Sequence, residues 1–216
     1  ASASACTAVG SYTTASSQPA SFAAAWDGTR WSLRTVPYPA SGQLLGVSCA
    51  SARACIAVGD AGADAWDGTS WRYLPTPEPA GSQSVTLSAV SCRAPDACTA
   101  VGSYTTETQL TLAERWDGTA WTIQATPNPD GGGEFTAVSC PSAAACTAVG
   151  VNFAATWDGT SWNLQATPTL PLDYYLSGVS CTTTGCVAVG STEGTVVEAF
   201  GGGTGTDVTL ALVTSG

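Results

Sequence analysis

A six-residue phrase built on Trp-Asp-Gly-Thr and closed by a second tryptophan occurs four times in this chain: WDGTRW at 26–31, WDGTSW at 66–71 and 157–162, and WDGTAW at 116–121. All eight tryptophans of the chain lie in these four copies. Asp-Gly between two apolar runs is a strong hairpin signal, because glycine supplies positive φ and aspartate can hydrogen-bond the turn backbone. A ligand site does not need four near-identical copies, whereas a repeating packing problem does. Trp26, Asp27, Trp31, Trp66, Asp67, Trp71, Trp116, Asp117, Trp121, Trp157, Asp158 and Trp162 are therefore read as architecture. The tryptophans would begin and end adjacent strands and pack between neighbouring units.

The phrase belongs to a longer repeat. Cys-x-Ala-Val-Gly appears five times, beginning at Cys6, Cys55, Cys98, Cys146 and Cys186. Val-Ser-Cys precedes four of these, ending at Cys49, Cys92, Cys140 and Cys181, and a Pro-rich stretch follows each WDGT phrase. Copies are spaced by about 40 to 50 residues. Each unit reads as four short strands; in the third they are 85–92, 97–102, 110–116 and 121–126, with alternation, β-branched residues and Gly/Pro punctuation. Four strands per period of this length is the pattern of a β-propeller blade. The expectation is all-β: one five-bladed β-propeller of four-stranded antiparallel blades over 1–216, with blades at about 1–40, 41–80, 81–130, 131–172 and 173–216.

This motif set resembles the kelch and WD-type propellers, and more closely the WDGT/VSC/CxAVG repeat proteins secreted by actinobacteria. In kelch-like blades an aromatic-Asp pair ends the third strand and a tryptophan opens the fourth, as Trp116-Asp117 and Trp121 do here. The chain departs from kelch in having one glycine, Gly102, rather than a doublet, and from WD repeats in lacking Gly-His. The resemblance implies the fold and no activity.

Nine cysteines fall into the pairs Cys49–Cys55, Cys92–Cys98, Cys140–Cys146 and Cys181–Cys186, leaving Cys6 outside them. Each pair spans the link between first and second strands, so each unit would close one hairpin with a disulfide that stabilises it by roughly 2 kcal/mol. Zinc is the weaker reading, because pairs on different blades point apart and there is no histidine. Disulfides put the chain in an oxidising compartment, and a secreted, extracellular location is expected. The first copy also lacks a Val-Ser-Cys strand. Either 207–213 completes that blade as a closing strand or residues upstream of Ala1 are missing. The second is preferred, because 207–213 also aligns with the fourth strand of the last, degenerate copy; the chain would then be a fragment of a larger protein or one cut after a cysteine loop.

Composition limits the chemistry. Without histidine or lysine, the chain can build no Ser-His-Asp triad, no Cys-His pair and no Schiff base. Net charge is −10, from 16 acids and 6 arginines, which argues against nucleic acid. No run approaches the roughly 18 apolar residues of a membrane span. Carboxylate chemistry would need a pair at defined separation. Asp60, Asp64, Glu107, Glu114, Glu134, Glu193 and Glu198 show no recurring pair. The aspartates of 59–68 do not match an EF-hand calcium loop. No enzyme activity, cofactor or metal is expected.

What varies between copies is two sets of loops on one face: those after Gly10, Gly59, Gly102, Gly150 and Gly190, and those between blades. Loops on a rigid scaffold are where binding concentrates. They carry Tyr12, Tyr38, Tyr104, Asn128, Asp130, Asn152, Asp173, Tyr174 and Tyr175. Aromatic rings with short polar side chains suit a sugar, whose apolar face stacks while its hydroxyls find partners. The expected function is a secreted, lectin-like, non-catalytic module for a cell-surface or extracellular glycan. The alternative is a protein-interaction module in a secreted, toxin-type assembly, in which a neighbour would complete the first blade by strand addition.

Overall fold

The computed structural model describes residues 5–37, 39, 42–167 and 174–191, with the backbone of 195–200 and 208–211; Tyr38 and Asp173 lie outside the described residues. The chain folds into five antiparallel sheets whose strands follow in chain order. Sheet I holds β1 (Cys6–Thr13), β2 (Pro19–Trp26) and β3 (Trp31–Arg34). Sheet II holds β4 (Leu44–Ser51), β5 (Ala54–Gly59), β6 (Gly62–Trp66) and β7 (Trp71–Leu74). Sheet III holds β8 (Ser84–Ala94), β9 (Ala97–Thr105), β10 (Gln109–Trp116) and β11 (Trp121–Gln124). Sheet IV holds β12 (Phe135–Ser142), β13 (Ala145–Gly150), β14 (Ala154–Trp157) and β15 (Trp162–Gln165). Sheet V holds β16 (Tyr175–Cys181), β17 (Cys186–Ser191), β18 (Thr195–Phe200) and β19 (Val208–Ala211). No helix occurs among the described residues, and none is long and apolar enough to cross a membrane.

Successive sheets pack face to face through their inner strands, β1 on β4, β4 on β8, β8 on β12 and β12 on β16. A sheet between two neighbours has no solvent face. Its second strand therefore reads as continuous burial rather than alternation: Ile56, Ala57 and Val58 are all buried, as are Ala148 and Val149. Four clusters form the seams, the last joining Val149 and Ala154 of sheet IV to Leu176 and Ala188 of sheet V. One joins Ala23 to Leu44, Ala57 and Trp71; the next joins Ile56 and Val58 to Leu87, Trp116 and Trp121; the third joins Val101 and Ala113 to Phe135 and Trp162.

The WDGT phrase is a turn. Trp26 pairs with Trp31 across the hairpin, and Trp66–Trp71, Trp116–Trp121 and Trp157–Trp162 pair likewise, with ring centroids 5.6 to 5.9 Å apart. Four residues bridge each pair. Gly118 takes φ 95°, and the Asp117 Oδ1 accepts the N–H of Thr119, the Thr119 hydroxyl and the N–H of Ala120 at 2.8, 2.7 and 2.8 Å. Asp27, Asp67 and Asp158 repeat this geometry.

All four expected disulfides are present, with Cα separations of 3.9 to 4.0 Å, and Cys6 is exposed and outside them. The glycine of CxAVG has a steric cause. In sheet III the register of β8 shifts between Leu87 and Ala89, a bulge that pushes its backbone toward Gly102. A Cβ on Gly102 would meet the Thr86 carbonyl oxygen at 1.9 Å, and one on Gly190 the Tyr175 oxygen at 1.9 Å. Val208–Ala211 pairs with β18 as the fourth strand of sheet V.

Candidate functional site

Strand direction fixes two ends. The disulfide hairpins of sheets II to V and the WDGT turns of sheets I to IV lie at one end; the loops between second and third strands, and between sheets, lie at the other. The loop end carries a polar network across three sheets. The Gln109 amide donates to the Ser103 hydroxyl at 3.0 Å and to Glu134 Oε2 at 2.9 Å, while the Tyr175 hydroxyl donates to Glu134 Oε1 at 3.1 Å. Gln109 opens β10, Glu134 immediately precedes β12, and Tyr175 opens β16. The Glu134 carboxylate is thus clamped from both sides, and its hydrogen bond and charge push the Tyr175 phenol pKa upward. Tyr175 is 49% exposed, beside an acceptor that is already oriented.

The expected site residues separate into groups. Tyr12 is exposed at the end of β1, 6.3 Å from the Phe22 ring and far along the array from Tyr175. Tyr104 is half-buried against the core between sheets II and III. Asn128 ties a connection down: its Oδ1 accepts the Thr111 N–H at 2.7 Å and the Thr111 hydroxyl at 3.0 Å. Asp130 is exposed in the next turn. Asn152 sits at φ 62°, where its Oδ1 accepts the Tyr174 N–H at 2.7 Å. Tyr174 itself is buried, with its hydroxyl donating to Thr167 at 2.7 Å. Glu134 stood in the sequence only as one carboxylate among seven, and Gln109 carried no signal, because neither belongs to a repeated phrase.

At the turn end, shallow clefts separate sheets I and II and sheets II and III. The first is lined by Trp26, Arg34, Trp66 and Trp71, with the Arg34 guanidinium 5.9 Å from the centre of the Trp66 ring. The second is lined by Trp66, Arg72, Pro95 and Trp116.

Asp64 and Glu114 are fully buried, and no hydrogen bond reaches either carboxyl. Burial pushes Asp64 up to about 7 and Glu114 up to about 8. The sequence offered no recurrence for them, but the register does. Asp64 lies opposite Ala57, Glu114 opposite Ala100 and Glu198 opposite Ala188, all two residues before the aromatic that ends the third strand. Alanines 24 and 155 fill the place in sheets I and IV. By alternation Asp64 shares a face with Trp66, toward sheet I, and Glu114 with Trp116, toward sheet II. A whole sheet separates the two, so they cannot flank one scissile bond. Among the described residues no group of three or more acidic or thiol ligands gathers for a metal.

No protein-family model matches the chain, and no curated protein matches it in sequence. Solved structures do match in shape. YCF48 bound to D1 peptide aligns at TM-score 0.53 with 17% identity, over 82% of this chain and 56% of that one. YCF48 from Cyanidioschyzon merolae aligns at 0.56 with 16% identity, over 90% and 64%. A six-bladed fungal lectin from Aleuria aurantia, described by its fucose recognition, aligns at 0.54 with 12% identity, over 98% and 79%. The chain has a β-propeller fold. It spans only 56% and 64% of the two YCF48 chains, and identities this low speak for the fold alone.

Proposed function

We propose that this chain is a secreted, non-catalytic, lectin-like propeller module that binds carbohydrate on its loop end. The observation that carries the reading is the Glu134 carboxylate, held by Gln109 and Tyr175 beside the exposed Tyr175 ring. A carboxylate fixed in this way presents its remaining lone pairs to vicinal hydroxyls, while the ring offers a stacking surface to the C–H face of a sugar. The likeness to a fungal lectin described by fucose recognition supports the reading without identifying the glycan. Eight cysteines in disulfides support an oxidising compartment.

The experiment is a glycan array on the oxidised protein, with and without calcium, repeated with Tyr175→Ala, Glu134→Gln and Tyr12→Ala. Binding lost with the first two and kept with the third places the site at Glu134. A blank array on well-folded protein removes the lectin reading. The protein-interaction alternative has its own support: among the described residues sheet I has three strands where sheets II to V have four, so a neighbour would complete it by strand addition.

A further inference from the structure

Three of the four steps from one sheet to the next repeat one contact. The closing tryptophans of a sheet pack on the sheet before it: Trp71 with Val9 and Ala23, Trp121 with Ile56 and Val58, Trp162 with Val101. The serine of VSC adds a polar stitch. Ser48 Oγ accepts the Cys92 N–H at 2.9 Å, Ser91 Oγ accepts that of Cys140 at 3.1 Å, and Ser139 Oγ accepts that of Cys181 at 2.9 Å. Two different faces meet at every seam, so the contact is heterologous and an open array leaves one face of each kind uncovered.

Both uncovered faces are present. Trp31 is 53% exposed, against 8% for Trp71 and 5% for each of Trp121 and Trp162. At the other end Val187 and Val189 are 46% and 44% exposed, whereas their counterparts Thr147 and Val149 are 7% and 0%. Ser180, the VSC serine of sheet V, is exposed while Ser48, Ser91 and Ser139 are half-buried. Sheet V thus presents a whole docking set, a serine acceptor and two valines, to solvent.

The set defines its occupant. It needs an inner strand with a free N–H at the position of Cys92, Cys140 and Cys181, and large apolar side chains to cover the valines, a tryptophan pair at the first three seams and Tyr174 with Leu176 at the fourth. Sheet I has the tryptophans but, among the described residues, no strand inside β1. A complete four-stranded blade has both, and its far face supplies the aliphatic pair that Trp31 lacks. The size of the space agrees: the five sheets align over 79% of a six-bladed ring, close to five blades of six.

We propose that the space between sheets V and I is the docking site of one further blade of this same repeat. Its tryptophan pair covers Val187 and Val189, and its second strand covers Trp31. The inference rests on the propeller fold and not on carbohydrate binding, so the two fail separately.

The test compares the 216-residue chain with a chain extended by a copy of its own third repeat, residues 84–126. Hydroxyl-radical footprinting reads the oxidation of each tryptophan, and sedimentation reads the mass. In the shorter chain Trp31 should oxidise much faster than Trp71, Trp121 and Trp162, as a monomer. In the extended chain Trp31 should slow to their rate. Val189→Asp should leave the shorter chain folded, whereas Val149→Asp, at the covered counterpart, should unfold it. Three results overturn the inference. Trp31 could be slow in the monomeric shorter chain, showing five sheets closing on themselves; it could be slow only in an oligomer, showing a second copy in the site; or it could stay fast in the extended chain.

Discussion

Asp64 and Asp67 are three residues apart, as are Glu114 and Asp117, yet the fold treats the two members of each pair in opposite ways. Asp67 and Asp117 stand in exposed turns where three donors converge on one oxygen, which pulls each down to about 2. Asp27 and Asp158 are lowered by the same donors. Asp64 and Glu114, one half-turn of sheet away, face an apolar neighbour with no donor in reach and are pushed up to about 7 and 8. Local hydrogen bonding decides the charge state in the first case and desolvation in the second. A turn motif carries its own donors wherever it is placed; a seam position depends on the sheet packed against it.

The largest test of this contrast is the pH dependence of stability. For Asp64 and Glu114 the native state keeps a proton that the unfolded chain has released, so stability falls as pH rises from about 4 to about 8. The contribution is fully present below the unfolded values of 3.8 and 4.5, and gone above about 7 and 8. The loss is on the order of 4 kcal/mol for each group, at about 1.4 kcal/mol per unit of pKa. Tyr73, the cross-strand partner of Asp64, moves the same way: burial and the Asp64 charge both raise its phenol pKa. Urea melts at pH 4.5 and pH 8 should show wild type weaker at the higher pH. The double variant Asp64→Asn, Glu114→Gln should remain nearly level, and a level wild type would mean that both carboxylates find water.

A smaller effect should appear on the acid side. The turn aspartates release protons in the native state that the unfolded chain still holds, so their contribution is present above about pH 4 and is lost as pH falls toward 2. The quadruple variant Asp27→Asn, Asp67→Asn, Asp117→Asn, Asp158→Asn should flatten that limb and leave the alkaline one unchanged. A change in the alkaline limb instead would tie the two carboxylate classes together. Wild type should therefore be most stable near pH 4 to 5.

The smallest effect is that of one turn. Asp117→Ala should lower Tm by about 2 to 4 °C, with Asp117→Asn in between, as read by calorimetry. An equal drop for both would assign the turn to charge rather than to an oxygen acceptor.

The repeat made the scaffold legible. WDGT, VSC and CxAVG located the strands of the first four sheets, the disulfides and the turn aspartates, because in each the chemistry is local: a glycine at positive φ, a cysteine opposite a cysteine. Seams are not local. The VSC serine reads as a strand residue, and only the next sheet shows that its hydroxyl receives a cysteine N–H. Asp64 and Glu114 share a register position, but Ala24 and Ala155 occupy it in two sheets, so the eye finds no repeat. Among the loop residues, tyrosine content alone did not separate Tyr174, which packs inward, from Tyr175, which faces out. Nor did it separate the asparagines that hold connections in place, Asn128 and Asn152, from residues open to a ligand.

The turn aspartates have one more consequence, which concerns chemical ageing. Asp-Gly is the dipeptide most prone to rearrange, because the glycine nitrogen attacks the aspartate side-chain carbon to give a succinimide and then isoaspartate. The WDGT phrases place four such pairs on exposed turns. In each, the donors at the threonine and at the residue after it hold Oδ1 forward, ahead of the glycine, and keep the carboxylate ionised, a poor electrophile. The geometry that turns the strand thereby shields the bond it turns on, and isoaspartate should accumulate at these sites only as fast as the hairpins open.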